Sequence, residues 1–127
     1  MSIAAALFCT ILSAQKPQEP VEPPEEDASL IPKEYTLNPV QAKREMTAGD
    51  YYFKKGNYLA ALQRYTQATL WDNGSPEGFL KLGEAHEKLK EFDKAREAYT
   101  KFISLTSDPK AADAIKKKME KWPAPKK

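Results

Sequence analysis

Reactive side chains are scarce in this sequence: one cysteine, Cys9, and one histidine, His86, stand among 127 residues. A solitary histidine has neither the nucleophile nor the orienting partner that covalent or acid–base catalysis requires. Without a second His or Cys no nitrogen–sulfur metal site can be assembled. The glycines around 49–56 do not have the spacing of a phosphate-binding loop. These absences exclude an enzyme, a cofactor and a metal. Long apolar runs are missing as well. The one continuous stretch, residues 3–14, is about a dozen residues, against ~20 for a membrane span, so no transmembrane segment is expected.

That short run ends Ser13-Ala14-Gln15, where the composition turns polar, and it is read as a signal peptide over residues 1–14 with cleavage after Ala14. Export to the periplasm or envelope of a bacterium follows from that reading. An uncleaved tail, or a cytoplasmic protein with an apolar leader, is the alternative. Cys9 follows Ala6-Leu7-Phe8, in which Phe8 departs from a lipid-attachment triplet, and it is read as part of the leader. No intrachain disulfide can then form, and cysteine usage does not report the redox compartment.

What is present is charge, and it is unevenly distributed. Up to Asn38, two lysines stand against six acids, a balance of −4, which leaves +6 for the remainder of a chain whose total is +2. Residues 15–37 read as a linker: Pro17, Pro20, Pro23, Pro24 and Pro32 alternate with acids, and almost nothing apolar is available to bury. Polyproline II is the expected local state. A spacer is the plain reading, and a proline-rich docking ligand the sharper one.

From Gly49 to Tyr99 the chain repeats itself. Gly49 and Gly83, Lys54 and Lys88, Tyr58 and Phe92, Ala61 and Ala95, and Tyr65 and Tyr99 are each separated by 34 positions. The second copy reads Phe79-x-x-Leu82-Gly83-x-x-His86, then Ala95-x-x-x-Tyr99, then Pro109; the first reads Ala48-Gly49-x-x-Tyr52, then Ala61-x-x-x-Tyr65, then Pro76. Small residues let two helices approach while aromatics fill the space between layers. The pattern resembles the tetratricopeptide repeat (TPR), a helix-turn-helix hairpin of that period. Two residues depart from it: Glu45 stands at an apolar position and His86 at a tyrosine position.

Asn38-Pro39, Ser75-Pro76 and Asp108-Pro109 each pair a capping side chain with proline at the first helical position, and Gly56-Asn57 marks the turn of the first hairpin. Helices are expected over 39–55, 58–71, 76–89, 92–105 and 109–121. The fold class is all-α, two TPR hairpins and a C-terminal capping helix, forming a short α-solenoid over 38–121 with a basic tail over 122–127. In the last helix Ala111, Ile115, Met119 and Trp122 share an inward side. About three repeats are usually needed for a stable array. The open face of the first hairpin is therefore expected to be covered by Tyr35 and Leu37, by self-association or by a partner.

The resemblance implies a non-catalytic protein-interaction module, whose first helices line a groove for an extended peptide or helix of another protein. Its lining would be Lys43, Met46, Asp50, Phe53 and Lys54 from the first hairpin, and Glu77, Leu80, Lys81, Glu84, Glu87 and Lys88 from the second. Phe53 and Leu80 are the apolar anchors, unless they are buried between helices. Asp50, Glu84 and Glu87 argue against a clamp for a terminal carboxylate. The segment 48–56 behind an export signal and acidic linker is similar to the repeats of outer-membrane assembly lipoproteins, which implies a role in envelope assembly. A self-associating structural protein is the alternative. The weaker alternative is a basic adaptor for anionic polymer or lipid, through Lys116, Lys117, Lys118, Lys121, Lys126 and Lys127; nucleic acid is disfavoured, since the same lysines serve a solvated last helical turn.

Overall fold

The structure, a computed structural model, describes residues 34–125. The proposed signal segment, Cys9, most of the linker, and Lys126 and Lys127 lie outside the described residues. Five helices follow in order: α1 Pro39–Lys54, α2 Tyr58–Trp71, α3 Pro76–Lys88, α4 Phe92–Leu105 and α5 Pro109–Glu120. Among the described residues there is no strand, and no helix is long and apolar enough to cross a membrane. α1 pairs with α2 and α3 with α4 as hairpins, α2 packs on α3, and α5 packs on α4. The fold is a short TPR-like α-solenoid. Three helices end one residue earlier than the sequence suggests, at Lys54, Lys88 and Glu120.

The starts follow local chemistry, with one exception. Asn38 and Asn57 side chains accept the backbone N–H of Gln41 and Ala60, and Asp108 accepts from Lys110 and Ala111. Ser75 makes no such bond, contrary to the sequence expectation. In that turn it is Asp72 Oδ1 that accepts, from Gly74 N–H. The hairpin turns are built alike. Asn57 N–H bonds Tyr52 O and Gly56 N–H bonds Phe53 O; 34 residues on, Glu91 N–H bonds His86 O and Lys90 N–H bonds Glu87 O. Gly56 has φ 78° and Lys90, without a glycine's freedom, has φ 58°.

The core has two layers, each crossing a repeat boundary. Tyr52, Ala61 and Tyr65 pack with Ala85 of α3, and Ala95, Tyr99 and Phe102 pack with Ile115 of α5. Tyr65 and Tyr99 are fully buried. Each lies flat against a glycine: a methyl on Gly83 would sit 2.6 Å from the Tyr99 ring, and one on Gly49 would overlap Tyr65 in the same way. Glycine is required there for close approach.

Glu45, the departure in the first copy, is 2% exposed and buried against Arg64 at 3.3 Å, with Gln41 Nε2 donating to its other oxygen. Thirty-four residues on, the same two positions hold Phe79 and Ala98. A large apolar residue beside a small one has been exchanged for an ion pair. The first hairpin is covered only in part by the segment before it. Tyr35 donates to Gln67 Oε1 and stacks edge-on against Trp71 at 4.9 Å, whereas Leu37 stays 73% exposed, contrary to the expectation that it folds back.

Candidate functional site

α1 and α3 are the first helices of their hairpins, and a cleft of about 380 Å³ opens between their N-terminal halves. Lys43, Met46, Asp50 and Glu77 of the expected groove line it, with Ala42 and Ala68 at its wall. The other expected lining residues follow along the same helices. Lys54 and Lys88 are exposed, while Leu80, Lys81, Glu84 and Glu87 are half-buried.

The two expected anchors are half-buried between helices. Phe53 packs on the first core layer, its ring 5.1 Å from that of Tyr58 and 6.5 Å from that of Tyr65. Leu80 packs on the second layer beside Phe79. Met46 also packs on the first layer and, with Pro39, Ala42 and Ala68, supplies the apolar lining of the cleft.

The acidic residues are held from beneath. Tyr65 hydroxyl donates to Asp50 Oδ1 at 2.6 Å, and Tyr99 hydroxyl donates to Glu87 Oε2 at the same distance. Burial first, and then the carboxylate acceptor, raises both phenols far above the ordinary tyrosine range. From above, Lys81 lies between Asp50 at 3.9 Å and Glu84 at 3.8 Å, and Lys118 of α5 bonds Glu87 at 3.2 Å. A ladder of alternating charge thus crosses α1, α3 and α5.

Lys118 and Trp122 were not among the expected lining residues, although the signal for them was present. The 34-residue offset carries Asp50 to Glu84 and then to Lys118, and Lys54 to Lys88 and then to Trp122. The contacts repeat with it. Lys88 Nζ lies over the Tyr58 ring at 6.0 Å, and Trp122 stacks on Phe92 at 5.1 Å. α5 therefore stands as the first helix of a third repeat, and Trp122, at the start of the expected tail, packs inward with Ala111, Ile115 and Met119 as their shared side predicts. Arg96 completes the seam, donating to Pro123 O at 2.6 Å with its guanidinium 5.6 Å from the Trp122 ring.

His86 is half-buried and lies 3.4 Å from Glu91, which also accepts from Lys94. The Lys94 hydrogen bond, opposed by desolvation and aided by His86, holds the Glu91 carboxyl below its ordinary range. This cluster closes the α3–α4 turn. Among the described residues no group of three or more His, Cys, Asp or Glu is placed to hold a metal ion.

Helical hairpins stacked at a fixed repeat, with a cleft along their first helices, define a short helical-repeat protein. Residues 76–109, the whole second copy, match the family model described as Tetratricopeptide repeat, which supports that family for this chain. Repeats of this kind are generally non-catalytic protein-interaction scaffolds. No curated protein matches the chain.

Proposed function

We propose that this chain is a non-catalytic interaction module that receives an extended segment of a partner protein along α1, α3 and α5. The observation that supports it is the register: equivalent positions of three successive first helices present one continuous surface, with the cleft at one end. Export, and work in envelope assembly, belong to the same proposal. They rest on the apolar run 3–14 and on the likeness of residues 48–56 to lipoprotein repeats.

Crosslinking capture in the native cell tests the surface, comparing the wild type with Lys54→Glu, Lys88→Glu. Both lysines are exposed, so the variant keeps the core that a change at Phe53 or Leu80 would damage. A protein captured by the wild type and lost from the folded variant supports the reading. Capture of the same set by both sinks it. N-terminal sequencing of the mature protein tests export, with Gln15 as the expected first residue.

Self-association is a second reading, favoured by Leu59 and Leu70, which are 59% and 44% exposed on the outer side of α2. Light scattering that shows a monomer throughout the micromolar range would remove it.

A further inference from the structure

Asp50, Glu84 and Glu87 of the cleft are ion-paired, whereas four of its lysines are not, among the described residues. Asp50 and Glu87 accept hydroxyl protons from the buried tyrosines beneath them, and with Glu84 they share Lys81 and Lys118. At the rim Lys43, Lys54, Lys88 and Lys121 are exposed, and none has a carboxylate within ion-pair distance among the described residues. Among the lining acids Glu77 is exposed and the Asp50 side chain is 45% exposed, while Glu84 and Glu87 are half-buried. Sequence alone reads this surface as evenly mixed. With Lys118 of α5 and Lys121 at its C-cap added, six lysines (Lys43, Lys54, Lys81, Lys88, Lys118 and Lys121) stand against four acids (Asp50, Glu77, Glu84 and Glu87), a balance of +2, and a basic trough suits an acidic extended chain.

The same polypeptide carries one. Residues 16–33 hold Glu19, Glu22, Glu25, Glu26 and Asp27 against Lys16 and Lys33, a balance of −3, with five prolines and few apolar side chains. The point where this segment joins the folded part is fixed. Tyr35 is held by Gln67 and Trp71, and Asn38 N–H bonds Trp71 O, so the chain enters beside Pro39 and Lys43, at the end of α1 where the cleft opens. Eighteen residues at ~3.1 Å each reach roughly 55 Å. Three helices spaced about 10 Å apart span far less.

We infer that residues 16–33 bind along the α1–α3–α5 surface as an intramolecular acidic ligand, which a partner segment must displace. The inference rests on the reading of that surface as the binding face. It assigns the partner a chemistry: extended, acidic and proline-tolerant. It also gives the linker a second task as a competitor that sets the threshold for capture.

The test uses the full chain beside a full-length variant carrying Glu19, Glu22, Glu25 and Glu26→Gln with Asp27→Asn. A synthetic peptide of residues 16–33 is the probe. A tether of this length holds its own segment at about 1 mM effective concentration. For a probe of Kd about 0.1 mM, the wild type should therefore bind about tenfold more weakly than the variant, and ~0.5 M salt should abolish both. Amide shifts at Lys54, Lys88 and Lys121 should report the contact. Equal binding by the two chains at low salt overturns the inference and leaves the binding surface standing. So does a tenfold difference whose shifts fall at Lys110, Lys116 and Lys117, on the outer side of α5. Binding to neither chain overturns it as well, while partner capture through Lys54 and Lys88 reports separately on the surface.

Discussion

Tyr65 and Tyr99 couple the core to the cleft, because the ring that fills each layer also donates its hydroxyl proton to a cleft carboxylate. Their folded-state pKa values lie above the unfolded value of about 10. This contribution to stability is complete below pH 10 and is lost as pH rises past it, since only the unfolded chain then releases these protons. Urea titrations should show stability falling by up to about 1.4 kcal/mol per pH unit for each tyrosine. Tyr65→Phe and Tyr99→Phe should each flatten that slope, and an unchanged slope would refute the hydroxyl assignment. Glu45 and Arg64 allow a second residue-level test. Arg64→Ala removes the guanidinium that lies 3.3 Å from the buried Glu45 carboxylate and should cost about 3 kcal/mol. Adding Glu45→Phe to it recreates the Phe79 and Ala98 arrangement of the second hairpin and should recover most of that loss in a thermal melt. From sequence, Glu45 looked like a fault in the pattern, because its compensation is 19 residues away and visible only once the hairpin is closed.

Between helices, the turns show how local chemistry is repeated with unequal quality. Gly56 and Lys90 occupy the same left-handed position, and only the glycine does so without steric cost. Lys90→Gly should stabilise the protein by about 0.5 kcal/mol, the backbone relief of ~1 kcal/mol being partly offset by the greater freedom of glycine in the unfolded chain. A lower melting temperature for this variant would mean that the lysine side chain contributes more than its backbone costs. Helix starts were legible because Asn-Pro and Asp-Pro pairs act through bonds a few residues long. Ser75 was misread because a Ser-Pro pair marks the start of the helix without requiring the hydroxyl to turn toward its first backbone donors. The packing of Phe53 between helices was not legible, since position 53 in the first hairpin corresponds to Glu87 in the second, and only packing against Tyr58 decides its direction.

At the scale of the whole molecule the array carries polar residues at both ends where a further repeat would pack. Gly78 lies against Thr69 where α3 meets α2, so close that a methyl group there would approach Thr69 Cγ2 to 3.2 Å. Arg44, exposed, holds the equivalent position of α1. On α5 the positions that correspond to Phe79, Leu82, Gly83 and His86 are Asp113, Lys116, Lys117 and Glu120, all exposed. The repeat count and these polar ends could be read from the 34-residue offset, whereas the seating of Asp50 and Glu87 on tyrosine hydroxyls could not, because those pairs form across helices. Trp122→Ala should free α5, raising its amide hydrogen exchange at least tenfold while α1 and α2 stay protected. Equal protection of α5 in both proteins would show that Ile115 and Met119 hold it unaided. The two tryptophans stand at opposite ends of the stack, Trp71 under Tyr35 and Trp122 on Phe92. Each end therefore carries its own native fluorophore. With Trp71→Phe and Trp122→Phe variants, emission melts that coincide would identify one cooperative unit, and melts that separate would show an array that frays from one end first.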